Sequence, residues 1–276
     1  PYLWPWADVR ACLFEAANTV DPAQAERRAL VLCNPGFDGR PLSTQSIAAG
    51  FQLVLPGEFA RAHRHTNSSL RFIVAGSGGY TVTEGERSLL SAGDFVSSPN
   101  WTWHDHGNEG SEPVLWFDAV DVPIVAALNV QMFEPFDQPR QPIARPAGEN
   151  TGRYNSGLRL VGDVFEAKHS PVIHYPYART REALAAAGAG LLEFSNPLTG
   201  GSVLPTLGAY AQLLGKGGAT PKQRRTASTV YLVHEGHGHS IVNGHLLDWR
   251  EHDVFVVPTW AWHEHANASA AEPAIL

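Results

Sequence analysis

Three histidines set the chemistry to be expected of this chain: His63 and His65, one residue apart, and His104. Alternate side chains of a β-strand point to one face, so a His-x-His pair on a strand turns both imidazoles the same way. His104 follows Pro99-Asn100-Trp101-Thr102-Trp103, where a neighbouring strand should turn inward and bring a third ring to the first two. A lone histidine in a β-rich run is usually packed or exposed, but three at these spacings suit a divalent transition metal. With no carboxylate among them, the ion would keep its full charge and favour an anionic, chelating ligand on its open positions. His106 shares the inner face with His104. It fits either an acid–base group beside the ion or a hydrogen-bonded structural residue.

The elements that must hold these residues are written twice. Trp101-Thr-Trp-His-Asp-His-Gly-Asn108 is echoed by Trp260-Ala-Trp-His-Glu-His-Ala-Asn267, and Arg71-Phe-Ile-Val-Ala-Gly76 by Tyr231-Leu-Val-His-Glu-Gly236. Such self-similarity marks a duplicated structural unit. Within each copy, short β-rich runs (Phe72–Val74, Tyr80–Val82, Phe95–Val96; Val230–Val233, Val254–Val257) alternate with Gly, Pro and Asn turns, the texture of a small antiparallel barrel or jelly roll. Helical periodicity is confined mainly to Ala23–Leu30 and Thr180–Ala187, outside the repeated units. The reading is an all-β chain with a few flanking helices: a first barrel over 1–134, a linker and helix over 135–190, and a second barrel over 191–276.

Carrying the spacing of the first copy onto the second puts Gln223 and Arg225 where His63 and His65 stand, leaving His263 alone of the three. A guanidinium does not ligate a metal ion, so the second barrel is expected to be metal-free. His234, His237, His239 and His245 fall around a Gly-broken turn, where surface placement accounts for them. The pairs Trp101/Trp103 and Trp260/Trp262 are expected to pack the barrel cores, because both copies keep them.

Composition narrows the partners. The balance of 20 basic and 27 acidic residues gives a formal charge of −7 with no Lys/Arg block, so neither nucleic acid nor an anionic membrane surface is expected. Cys12 and Cys33 form no CxxC pair, which suits a reducing cytoplasm and no disulfide framework, and no apolar run approaches the length of a membrane span. Both ends look cut: the chain starts at Pro1, and Ala274-Ile275-Leu276 falls inside an expected strand.

The histidine arrangement resembles the cupin family on both of its motifs: Gly57, His63, His65 and Gly76 in the first, and Gly93, Pro99, His104 and Asn108 in the second. That resemblance implies a double-stranded β-helix, the cupin jelly roll, repeated twice. Many cupins add a glutamate ligand shortly after the His pair, whereas Ser68, Ser69 and Leu70 stand there in this chain. A more specific likeness covers nearly the whole chain. Tyr2-Leu3-Trp4-Pro5-Trp6, Arg27-Arg28, Asn34-Pro35-Gly36, Gln52, Leu55-Pro56-Gly57-Glu58, Ala62-His63-Arg64-His65-Thr66, Leu70-Arg71-Phe72 and the run Pro99–Gly110 are similar to the gentisate, salicylate and 1-hydroxy-2-naphthoate 1,2-dioxygenases. These bicupin enzymes cleave an aromatic ring between its carboxyl-bearing and hydroxyl-bearing carbons. The resemblance implies Fe(II) on His63, His65 and His104, with an aromatic 2-hydroxy acid and O2 as reactants and assembly as a homotetramer.

Arg71, taken to continue the strand of His63 with the same inward parity, is expected to meet the substrate carboxylate. The resemblance places Arg27 there too, with the adjacent Arg28 as an alternative, and puts Gln52 in the pocket. Asp118 and His106 are candidates for a pair that receives the hydroxyl proton or steers oxygen, although Asp118 could equally cap a turn. Pocket selectivity is expected to lie with Ala48–Phe51, with gentisate the first substrate and salicylate or 1-hydroxy-2-naphthoate next. Two other readings remain open in the sequence: a non-catalytic bicupin that binds a small acid, and another cupin metalloenzyme using manganese, nickel or zinc.

Overall fold

The computed structural model describes residues 1–20, 28–156, 161–162 and 164–276. In chain order its strands are β1 (Tyr2–Trp4), β2 (Arg28–Val31), β3 (Ala48–Val54), β4 (Phe59–His65), β5 (Ser69–Ala75), β6 (Ser77–Thr83), β7 (Glu86–Ser91), β8 (Phe95–Ser98), β9 (His104–Asn108), β10 (Val114–Val120), β11 (Phe133–Pro135), β12 (His174–Tyr175), β13 (Gly190–Glu193), β14 (Tyr210–Leu214), β15 (Thr229–Leu232), β16 (His237–Val242), β17 (His245–Arg250), β18 (Val254–Val257), β19 (His263–Asn267) and β20 (Ala274–Ile275). The helices are α1 (Trp6–Thr19), α2 (Val122–Ala127), α3 (Glu149–Tyr154) and α4 (Tyr177–Ala187).

The first barrel closes a six-stranded sheet, β12-β8-β5-β10-β3-β2, over a five-stranded one, β11-β4-β9-β6-β7. The second repeats this order in pieces: β1-β18-β15 and β20-β14-β13 face β17-β16-β19, and residues 219 and 223 make single bridges to Ala266 and His263 where β4 pairs with β9 in the first. Each copy turns one hairpin through two left-handed residues, Glu84-Gly85 and Asn243-Gly244, the backbone that two-residue loops favour.

Alternation decides what faces where. On β5, Ile73 joins Leu90, Val96, Val114 and Trp116 in the apolar half of the barrel interior, whereas Val74 packs outward. That outer face carries Ala49, Phe51, Leu53, Leu115 and Phe117, and it is covered by α1 and by Val254 and Val256 of the second barrel. The large sheet is therefore buried on both sides, with its polar residues turned into the barrel.

The order of the sheets extends the repeat beyond what the sequence comparison finds. A strand, a proline and a helix precede each barrel: β1, Pro5 and α1, then β12, Pro176 and α4. Each unit docks on the other barrel. Trp4 pairs with Val254 of β18, and Tyr175 with Phe95 of β8. Asp253 accepts a hydrogen bond from the Trp6 amide at 2.6 Å, and Asp94 from the Tyr177 amide at 2.8 Å, so each carboxylate holds the first turn of a helix that leads into the opposite copy. The segment read as a linker thus supplies a strand to the first barrel, and residues 2–4 supply one to the second.

Two expectations are corrected here. The helical reading of Ala23–Leu30 fails at its end, because Arg28–Leu30 lie in β2, paired residue for residue with Leu53, Gln52 and Phe51; Ala23–Arg27 lie outside the described residues. A sheet partner outweighs the helical propensity of an Ala-rich run. The helix expected from Thr180 is present as α4. The tryptophan pairs do not fill the cores: Trp101, Trp260 and Trp262 are 36%, 52% and 41% exposed. They lie against guanidinium groups instead, Arg64 at 4.4 and 4.3 Å from Trp101 and Trp103, and Arg224 at 4.2 and 4.6 Å from Trp260 and Trp262.

Candidate metal centre and pocket

His63 and His65 project from β4 beside His104 on β9, with ring centroids 4.5 Å (His63–His104), 4.7 Å (His65–His104) and 5.5 Å (His63–His65) apart. The register explains the convergence. Ala60 pairs with His106 but His63 with His104, so one extra residue is accommodated on β4 between them. Such a bulge re-aims the side chains beyond it, here towards β9. A second tie fixes the turn before His104: the Trp101 amide donates to the His65 carbonyl at 2.8 Å, with Trp101 held at a φ of 60°.

The donor set fits a metal ion. In each ring Nδ1 lies against a backbone carbonyl, Arg61 at 2.6 Å, Asn67 at 2.8 Å and Thr102 at 2.9 Å. Donating through Nδ1 leaves the Nε2 lone pair for coordination and fixes the ring plane. One ligand atom from each residue lies within 4.8 Å of the others. Burial, followed by the neighbouring His65 and His63, holds His104 well below its usual pKa, which favours the neutral imidazole that coordination requires.

The triad opens on a cavity of about 310 Å³. One pole is polar: His65, His104, His106, Arg71, Asp118 and Gln52 line it. Arg71 does not continue the strand of His63 as expected; it lies on β5, in the opposite sheet, and reaches the same interior from across the barrel. Its Nε and Nη2 donate to Asp118 at 2.7 and 3.0 Å, its guanidinium lies 4.2 Å from the Trp116 ring, and its buried Nη1 has no hydrogen-bond partner. Gln52 Nε2 donates to the same carboxylate, at the Oδ2 that also accepts from Arg71 Nη2. Asp118 therefore caps no turn, and Arg71, Asp118 and Gln52 form a buried hydrogen-bonded chain. His106 is engaged through Nδ1 with Thr81 at 2.9 Å, and Thr81 donates to the Asp105 carbonyl. The hydroxyl proton being spent there, His106 Nδ1 donates to Thr81, which puts the ring's lone pair on Nε2.

The opposite pole is apolar, formed by Ala29, Val31, Ala48, Val120 and Met132 among others. Of the two arginines that the sequence left open, Arg28 is committed elsewhere: its Nη1 and Nη2 hold Glu58 at 2.6 and 2.8 Å. Arg27 lies outside the described residues.

This geometry has close counterparts. The cupin-domain family model matches residues 50–120 and 211–276. The gentisate 1,2-dioxygenase 1 of Aquipseudomonas alcaligenes is 39% identical over 98% of this chain and 81% of its own length. The chain belongs to the bicupin ring-cleaving 1,2-dioxygenases. Within that family, a 5-aminosalicylate 1,2-dioxygenase of a Comamonas species is also 39% identical, over 98% of this chain and 75% of its own. The crystal structure of a salicylate 1,2-dioxygenase from Pseudaminobacter salicylatoxidans superposes with a TM-score of 0.91 at 30% identity, covering 100% of this chain and 82% of that one, and the same enzyme has been solved with gentisate. The chain is thus a gentisate 1,2-dioxygenase-like enzyme. Among its described residues, no helix is long and apolar enough to cross a membrane.

In the second barrel of this dioxygenase, Gln223 bridges to His263 as His63 pairs with His104, and the Trp260 amide donates to the Arg225 carbonyl at 2.8 Å as Trp101 does to His65. The alignment read from sequence spacing is the alignment of the backbones. The extra histidines need correction in one case. His237 and His245 are exposed on a hairpin, but His234 is mostly buried, edge-on to Phe72 at 4.9 Å and to Tyr177 at 4.7 Å, in contact with the first barrel and its docked helix. It stands on the outward face where the first copy has Val74, a position that packing against the neighbouring barrel closes to water.

Proposed function

We propose that this dioxygenase uses Fe(II) on His63, His65 and His104 to cleave gentisate with O2, between the carboxyl-bearing and hydroxyl-bearing ring carbons. Iron bound there would supply two-point chelation of the substrate and the activation of dioxygen. The observation that carries the reading is Arg71, a buried cation in the same cavity as the triad with one nitrogen still to be satisfied. A carboxylate completes that guanidinium.

In this reading Asp118 and Gln52 hold Arg71 in place: the carboxylate fixes the direction of the guanidinium, and the amide fixes the carboxylate. His106, with its acceptor nitrogen set by Thr81, takes the proton of the substrate hydroxyl. Arg27 contributes a second charge to the carboxylate. The apolar pole seats the distal ring edge and keeps water from the reacting carbons.

A second reading, salicylate or a 5-substituted salicylate, has its own support. Near the apolar pole the wall includes the small aliphatic side chains of Ala29, Ala48 and Val31, and the 5-aminosalicylate enzyme is as similar in sequence as the gentisate enzyme. 1-Hydroxy-2-naphthoate fits the same chemistry with a larger ring. Assembly as a homotetramer is part of the proposal and is tested by light scattering.

The decisive experiment loads the protein with Fe(II) anaerobically, then adds gentisate, salicylate and 1-hydroxy-2-naphthoate separately with oxygen, following oxygen uptake and the ultraviolet absorbance of the open-chain product. Turnover of gentisate in preference to the others is expected. Turnover of salicylate at a comparable rate favours the second reading, and iron binding without consumption of any acid overturns the substrate class.

A further inference from the structure

The second barrel has lost two metal ligands but not its polar interior. His263 and His265 are 2% and 1% exposed, and Nε2 of each is buried without a hydrogen-bond partner among the described residues. His265 stands between the sheets, 4.7 Å from the Tyr231 ring and 5.8 Å from Phe255. Its tautomer can be read from its neighbours. Trp249 donates to Ser240 Oγ at 2.9 Å, which leaves the Ser240 hydroxyl its own proton to give to His265 Nδ1 at 2.7 Å, an arrangement that puts the ring proton on Nε2. This is the reverse of His106. His263 has Nδ1 against the Ala261 carbonyl at 3.0 Å.

A cation completes the arrangement. Arg225 occupies the His65 position; among the described residues its one hydrogen bond is a long one, 3.4 Å, from Nη2 to Gln223, and its guanidinium lies 6.0 Å from the Tyr210 ring. No carboxylate pairs with it among the described residues. The charge reaches the interior: His265 is pushed down to about 3, by burial first and then by His263 and Arg225, and Tyr231 is pushed up to about 12 by burial against the opposing pull of Arg225. A half-buried guanidinium with no carboxylate partner among the described residues lacks an anion, and a small carboxylate would answer both it and the buried His265 Nε2 through charge-assisted hydrogen bonds.

We propose that the second barrel binds a small carboxylate anion, held by Arg225 and His265 Nε2–H in the place where the first barrel would hold its metal ion. The barrel has thus exchanged one kind of charged guest for the opposite kind. The inference is independent of the substrate assigned to the first barrel.

The test is isothermal titration of sodium formate into the intact, iron-loaded protein under anaerobic conditions, in the wild type and in Arg225→Gln, Arg225→Lys and Arg71→Gln. Binding at Arg225 is expected to weaken at least tenfold in Arg225→Gln, to survive in Arg225→Lys, and to be untouched by Arg71→Gln, with oxygen uptake on the aromatic acid unchanged in Arg225→Gln. If Arg225→Gln fails to fold, His265→Phe, which keeps the ring volume and removes the donor, is expected to weaken the same event. Identical isotherms for the wild type and these second-barrel variants, or formate uptake that responds to Arg71→Gln alone, overturn the proposal.

Discussion

The two barrels share a backbone and differ in what they can hold. Both keep the left-handed tryptophan at the turn, φ 60° at Trp101 and 61° at Trp260, and both keep an arginine sandwiched between the tryptophan pair. Both keep a His at the start of the second motif strand, bonded through Nδ1 to a carbonyl two residues earlier. What separates them is Gln223 and Arg225 in place of His63 and His65, and Tyr231 in place of Arg71. The features common to both therefore serve the fold, and those found in the first alone mark the site. The exposed Arg–Trp clasp belongs to the first group: it joins the two motif strands from outside whether or not the strands carry ligands.

The sharpest way to break this comparison is to remove the same histidine from each copy. His104→Ala is expected to abolish both iron binding and ring cleavage, while His263→Ala leaves metal content unchanged, as measured by elemental analysis and oxygen uptake; iron loss in the second variant would contradict the assignment of a metal-free barrel. The converse change sharpens it. Gln223→His combined with Arg225→His restores three imidazoles on a backbone that already has the register, and a second ion per chain is the expected result in the same analysis.

A third difference, Val74 against His234, should appear in acid. Burial foremost pushes His234 down to about 4, so the unfolded chain takes up a proton below its ordinary pKa of 6.5 while the native protein does not. Stability is thus complete above about pH 6.5 and falls as the pH drops towards about 4, by up to about 3 kcal/mol for this group. His265 acts with the same sign, down to about pH 3. His234→Leu should flatten the first part of that slope in denaturant titrations run across the window. The smallest expected effect is that of the clasps: Arg64→Ala and Arg224→Ala should each cost about 1 kcal/mol, and only the first should also weaken iron binding, since Arg64 lies between two ligands.

Much of this was legible in the sequence because a metal site constrains residue type and spacing together. His63, His65 and His104 could be picked out by period and by the missing counterparts at Gln223 and Arg225, and the repeat supplied its own alignment. Arg71 was found for a partly wrong reason. Parity along one strand pointed inward, but the chain turns at Thr66–Ser68 and Arg71 enters from the opposite sheet, where inwardness follows from that sheet's own alternation. The tryptophans misled because aromatic content signals burial on average, and a cation stacked on the ring removes the need for it. His234 looked like a surface residue because the surface that covers it belongs to the other barrel, about which a local pattern carries no information. Thr81 and Ser240, which hydrogen-bond His106 and His265 through Nδ1, could have been found from the repeat, since they occupy matching positions with unlike neighbours.

The exchanged strand–helix units have a consequence for how the chain can change over time. Each copy is completed by a piece encoded ahead of its sibling, β1 and α1 on one side and β12 and α4 on the other. Cutting the chain between the barrels would leave two halves that each carry the other's missing edge, as in a dimer whose members have traded arms. A catalytically idle half in such an arrangement cannot be shed by deletion, because the working half would lose its edge strand with it. It is free, however, to change in its interior, as it does at Gln223, Arg225 and Tyr231 where the first copy has His63, His65 and Arg71.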